Sequence, residues 1–135
     1  MKKILILALL LTSTAFSKAI IETPNEGLVA ILNLYKEKNY DKLVRERYTE
    51  IHKAKTEPEI KEIIKMQADF MVDEQTYNNV ISFFEEIKDL DPILSIGDPQ
   101  YVQPTETGER AKFKAKSGRT YRLFKMKSGR WGFHM

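Results

Sequence analysis

Residue types that could carry chemistry are few in this chain, and they are scattered. It has no cysteine and two histidines, His52 and His134. Thiol nucleophiles and thiolate metal sites are therefore excluded. A nucleophile needs a base within hydrogen-bond reach. His52 lies in "EIHKAK", a polar helix tail, and reads as a solvated side chain. His134 alternates with Phe133 and Met135 next to the carboxyl end, on the outer side of the last strand, where a general base would be poorly enclosed. Zinc needs three or four ligands, which two distant histidines do not supply. No phosphate-binding glycine loop and no G-x-S-x-G elbow is present. Asp89, Asp91 and Asp98 recur through "DLDPILSIGD", but Leu90 and Pro92 interrupt any calcium-loop pattern, so these are helix-end and turn residues. Glu85-Glu86 reads as a solvated helix face. No catalytic residue, metal or cofactor is expected.

The elements that would position any site divide at Pro92. Before it the apolar period is that of helices. "TPNEGLVAILNLYKEK" places Leu28, Ile31, Leu32 and Tyr35 on one face, with Thr23 or Asn25 available as the cap. Asn39 marks a break, after which "YDKLVRERY" restarts. Thr56-Glu57-Pro58-Glu59 has the form of a capping box with proline in the first turn. Ile60, Ile63 and Ile64 follow it, with Phe70 or Met71 completing the stripe. A last helix offers Tyr77, Val80, Ile81, Phe84 and Ile87 and ends at Asp91-Pro92.

After Pro92 the period falls to two. "ILSIG" is a short strand, "QYVQ" a possible fragment of another, and "ERAKFKAK" alternates cleanly. The tetrapeptide Lys-Ser-Gly-Arg occurs twice, at 116–119 and 127–130. A two-residue loop at Ser117-Gly118 would set Phe113 against Arg122. A three-residue loop over Lys116-Ser117-Gly118, with glycine in the left-handed position, sets Phe113 against Tyr121 and Ala111 against Leu123. The same loop at Lys127-Ser128-Gly129 sets Leu123 against Phe133 and Tyr121 against Met135. One register used twice collects Ala111, Phe113, Ala115, Tyr121, Leu123, Trp131, Phe133 and Met135 on one side of a meander. The expected class is α+β: N-terminal helices packed on a curved antiparallel sheet that ends in a three-stranded meander.

Two places carry a family resemblance. "LYKEKNYDKL" looks like a first helix that ends in a small-residue break and an aromatic and then restarts. "KSGRWGF" looks like a terminal hairpin whose Trp packs inward under helices. Over residues 24–135 the chain resembles the NTF2-like (cystatin-like, cone-shaped α+β) superfamily. It has Lys38-Asn39 where a Gly-Asp pair is common there. The resemblance implies a small exported accessory or binding domain. Some members are isomerases and dehydratases with Asp/His pairs in the cone, and no position here matches such a pair.

The amino end bears on location. Met1-Lys2-Lys3 precedes the uncharged run "ILILALLLTSTAF", too short for a comfortable membrane span, and Ala15-Phe16-Ser17 has the small-x-small form of a cleavage site. Residues 1–17 thus read as a bacterial secretory signal peptide and 18–135 as one domain. The missing cysteine rules out a lipoprotein, and the expected location is the periplasm or the medium. The formal charge of +3 is unevenly spread: Gln103–Met135 holds nine Lys/Arg against two Glu, Lys18–Val102 eleven against seventeen acids.

Two surfaces are candidates for function. The cone between helices and sheet, lined by Tyr35, Phe84, Tyr121, Trp131 and Phe133, would hold a small apolar ligand or be filled. The outer sheet face sets Phe124 and Met126 among Lys112, Lys114, Arg122 and Arg130, with Gly132 across from Phe124 leaving its ring uncovered. Such a face suits an acidic protein partner or a homodimer. Basic residues beside an aromatic also suit single-stranded nucleic acid, which export argues against. The alternatives to a binding module are a small cone-pocket enzyme and a purely structural dimerisation domain.

Overall fold

The computed structural model describes residues 21–135, so the expected signal peptide lies outside the described residues. Four helices come first: α1 (Pro24–Lys36), α2 (Tyr40–Arg47), α3 (Glu57–Phe70) and α4 (Glu74–Ile87). A four-stranded antiparallel sheet follows in the order β1 (Ile93–Ile96), β2 (Glu106–Lys114), β3 (Thr120–Met126), β4 (Trp131–Gly132). The class is α+β, with the helices packed on the sheet. Among the described residues no helix is long and apolar enough to cross a membrane.

Helix starts are set by side-chain caps, not all where the sequence places them. The full capping box belongs to α1, where Thr23 accepts from the Glu26 N–H and Glu26 accepts from the Thr23 N–H. Asn25 is not the cap. Its amide donates instead to the carbonyls of Lys88 and Leu90, both at 2.8 Å, closing the open end of α4. At α3, Thr56 caps through the Glu59 N–H, but the Glu59 carboxylate turns to the Lys55 N–H at 2.6 Å and the box is half made. Between α1 and α2, Lys38 adopts φ +55°, the left-handed region that glycine occupies without strain.

The repeated tetrapeptide forms the same turn twice. Gly118 and Gly129 both have φ +91°, and each donates its N–H to the carbonyl three residues back, Ala115 and Met126, at 2.9 Å. The side chains of Ser117 and Ser128 each accept from the following arginine N–H at 3.3 Å. Phe113 faces Tyr121 and Ala111 faces Leu123, in the expected register. At the second hairpin Phe124 pairs with Gly132 and Lys125 with Trp131, but the ladder then stops. Phe133 leaves β3 and bridges Tyr48 in parallel, so Tyr121 and Met135 are not paired. "QYVQ" is no strand either: Pro99–Tyr101 is a 3-10 turn capped by Asp98, which accepts from the Gln100 N–H at 3.1 Å.

Leu28, Ile31, Leu32, Leu43, Phe84, Ile87, Ala111, Phe113, Leu123 and Phe133 form one buried cluster shared by helices and sheet. Met71, not Phe70, completes the α3 stripe: Phe70 is exposed. Among the residues of α3 only Gln67 is fully buried.

Candidate functional site: an aromatic cleft between helices and sheet

A cleft of about 520 Å³ opens where α3 and α4 lie over the β2–β3 turn. Phe83, Phe84 and Val80 come from one face of α4, and Tyr121 from β3. Tyr35 comes from the last turn of α1, and Met66, Gln67 and Phe70 from the end of α3. The rings hold one another in tilted and edge-on contacts: Phe84 to Tyr121 at 4.9 Å, Tyr35 to Phe84 at 5.6 Å, Phe83 to Tyr121 at 6.4 Å between centroids. The Arg119 guanidinium lies over Phe83, 4.1 Å from its centroid, as a cation at the rim.

Polar groups inside the cleft are few and placed. The buried Gln67 amide donates to the Tyr35 hydroxyl at 2.7 Å. Burial pushes the phenols of Tyr35 and Tyr121 well above the ordinary tyrosine range, so both stay protonated. No Asp or Glu side chain lines the cleft. Thr120, His134 and Met135 complete the wall. A largely apolar space of this size, with a buried amide, two neutral phenols and a few polar groups at its edge, can orient an apolar molecule of modest size.

Of the expected cone lining, Tyr35, Phe84, Tyr121 and Phe133 do come together here. Trp131 does not. It is buried at the other end of the sheet, clamped by the segment before α1: its backbone N–H donates to Glu22 Oε1 and its indole N–H to the Glu22 carbonyl, both at 2.9 Å. Arg47 closes this clamp. Its Nη1 donates to Glu22 Oε1 at 2.6 Å and to the Trp131 carbonyl at 3.1 Å. A Cβ on Gly27 would lie 2.7 Å from Trp131 Cβ, so only glycine lets α1 approach so closely. Val80, Phe83, Met66, Gln67 and Arg119 were not expected at the site. Gln67 had a legible signal, an amide four residues after Ile63 on an otherwise apolar stripe. Phe83 had one as well, since it lies three residues after Val80 and so on the same side of α4 as Val80 and Phe84.

The outer face differs from expectation at its centre. Phe124 is 7% exposed and Met126 is 8% exposed, so neither is uncovered. Because Phe133 leaves the ladder, His134 turns back and lays its ring flat on Phe124, 3.6 Å between centroids and 6° between planes, while Arg110 lies 5.4 Å from the same ring. The space beside Gly132 is taken by the Arg47 carbonyl, Met126 Sδ and Thr49 Cγ2. The basic part of the face is as expected: Lys112 opposes Arg122, and among the described residues Lys112, Lys114, Arg122 and Arg130 have no ion-pair partner.

His134 also reaches Glu106, with Nε2 at 2.6 Å from Oε2. Glu106 is buried, and burial raises its carboxyl. The His134 imidazole first, then the neighbouring Thr49 hydroxyl and the Gln103 N–H, together outweigh that, and the net position is below the ordinary carboxylate value. His52 sits apart, its Nδ1 3.3 Å from the Thr49 carbonyl. Among the described residues no three His, Asp or Glu side chains converge as a metal site. Comparison with protein-family models, with curated proteins and with solved structures found no match.

Proposed function

We propose that the protein is an exported binding module that holds a small apolar ligand in the aromatic cleft without transforming it. The carrying observation is the cleft itself: about 520 Å³, inside the range of about 300–1,000 Å³ typical of small-molecule sites, and walled by Tyr35, Phe83, Phe84 and Tyr121. The polar groups on its wall are Gln67, Thr120, Arg119, His134 and two phenols raised by burial; they can orient a ligand, no carboxylate among the described residues joins them, and the His134 ring is engaged with Phe124 and Glu106. Export rests on the signal-like start at residues 1–17, and the resemblance to the NTF2-like superfamily, with its cone-shaped interior, supports the same reading. An outer-face docking site is the weaker reading, since Phe124 and Met126 are already covered.

The test is a native mass measurement on protein recovered from its host, with thermal melts against medium-chain alcohols and small aromatics. Bound mass or a raised melting temperature is expected. Met66→Arg, at a 60%-exposed position on the cleft wall, should abolish either signal while leaving the melt of the free protein unchanged. Absence of bound mass together with flat melts across the panel would remove the ligand-holding reading.

A further inference from the structure

Strand β1 leaves Ile93, Leu94 and Ile96 at 58%, 66% and 77% exposure. Within Ile93–Ile96 there is no charge, proline or glycine to discourage pairing at a sheet edge. The direction of its backbone groups follows from the ladder. The Gly97 N–H donates to the Gly108 carbonyl at 2.8 Å, in the register that pairs Ser95 with Arg110 and Ile93 with Lys112. Hydrogen-bonded pairs alternate along an antiparallel ladder. Ile93 and Ser95 therefore bond to β2, and Leu94 and Ile96 turn N–H and C=O outward, where no strand among the described residues meets them. Side chains alternate as well. Leu94 pairs with Ala111 on the helix-facing side, so Leu94 and Ile96 prolong the apolar inner face past the helices.

We propose that β1 pairs antiparallel with β1 of a second copy, about a twofold axis through Ser95. In this register Leu94 of each copy opposes Ile96 of the other, and every outward N–H and C=O of both residues finds a partner. Moving the axis to Leu94 would set Ile96 against Pro92, which has no N–H. An axis between two residues would oppose an outward-bonding residue to one already bonded to β2. Charge agrees with the choice. Asp91 of one copy falls opposite Pro99 of the other and beside Gly97, over which Arg110 lies so closely that a Cβ there would be 2.5 Å from its Nε. A carboxylate thus approaches a guanidinium, and no like charges are directly opposed. On the inner side the Leu94 and Ile96 side chains of both copies gather beside a groove of about 240 Å³ bounded by Pro24 and Trp131. This self-complementarity selects a second copy over an unrelated strand.

The chain has no cysteine, so engineered thiols report the register cleanly. Across the axis the Cα atoms of Ser95 and its symmetry mate would be about 4.5 Å apart, a non-hydrogen-bonded pair within disulfide reach. Leu94 and its mate would be diagonal neighbours at about 7–8 Å, beyond that reach. Mild oxidation of the purified protein should link Ser95→Cys into dimers and leave Leu94→Cys monomeric. The wild type should sediment as a concentration-dependent dimer. Leu94→Pro, which deletes an outward N–H and no bond to β2, should sediment as a monomer with unchanged circular dichroism. A wild type that is monomeric throughout, Leu94→Cys linking as readily as Ser95→Cys, or a folded Leu94→Pro that stays dimeric would each overturn the pairing.

Discussion

At the β4 edge of the sheet the chain covers its own backbone, whereas at the β1 edge it leaves the backbone open. Beyond β4, Phe133 donates to the Arg47 carbonyl at 2.8 Å and accepts from the Thr49 N–H at 3.1 Å, so the segment after α2 acts as a protecting strand. Arg47 and Glu22 clamp Trp131 from the same side, and His134 covers Phe124. Beyond β1 there is no such segment among the described residues, and the side chains are apolar and exposed. A two-residue strand is covered by the Tyr48 segment and the Glu22–Arg47 clamp, while among the described residues a four-residue strand has no such cover. Edge protection is therefore a local choice here, and its absence at β1 is as informative as its presence at β4.

The contrast can be broken by mutation, with effects that should fall from one edge to the other. Trp131→Ala empties a core site at the covered edge and should cost about 3–5 kcal/mol in denaturant melts. That is a large share of the about 5–15 kcal/mol available to a small domain. A cost near zero would mean that the Glu22–Arg47 clamp, and not the ring, holds this end. Gly132→Ala comes next. Its Cβ would lie 2.4 Å from the Arg47 carbonyl oxygen and 2.7 Å from Met126 Sδ, so the covering segment must move, at about 1–3 kcal/mol. Hydrogen exchange should then rise at Thr49 and Phe133 and stay unchanged in β1. Equal exchange at both edges would remove the distinction.

Glu106→Gln should have a smaller effect at neutral pH, about 1 kcal/mol, and a characteristic pH dependence. The carboxyl of Glu106 is lower folded than unfolded, so its contribution is present above the unfolded carboxylate value and is lost as pH falls through the folded one. The wild type should therefore lose more stability than Glu106→Gln between neutral and acid pH. Parallel profiles would show that the bond to His134 does not act through the carboxylate charge. Ile96→Lys, on the open edge, should change the stability of the monomer by less than about 0.5 kcal/mol. A loss comparable to that of Gly132→Ala would mean that β1 is covered after all.

Much of this fold was legible because it is local. The four helices follow from periodicity and caps, and the two Lys-Ser-Gly-Arg turns follow from the one loop length that keeps Phe113, Tyr121 and Leu123 on a common side. Four of the five expected cleft residues were legible for the same reason: Tyr35, Phe84, Tyr121 and Phe133 each belong to an apolar face whose direction the period sets. What the chain does between elements was not legible. Period two at Trp131, Phe133 and Met135 describes a straight strand and carries no information about a competing partner such as Tyr48. Nor does it show that an isolated His134 will stack on Phe124, or that Glu22 and Arg47 will hold Trp131 away from the cleft. These contacts join residues far apart in the chain, and their free energy depends on the distances that folding brings about. Sequence alone thus determined the four helices, the faces of β2 and β3 and the hairpin register. Only the tertiary structure decided which edge is covered, which aromatic lines the cleft, and which apolar residues stay exposed.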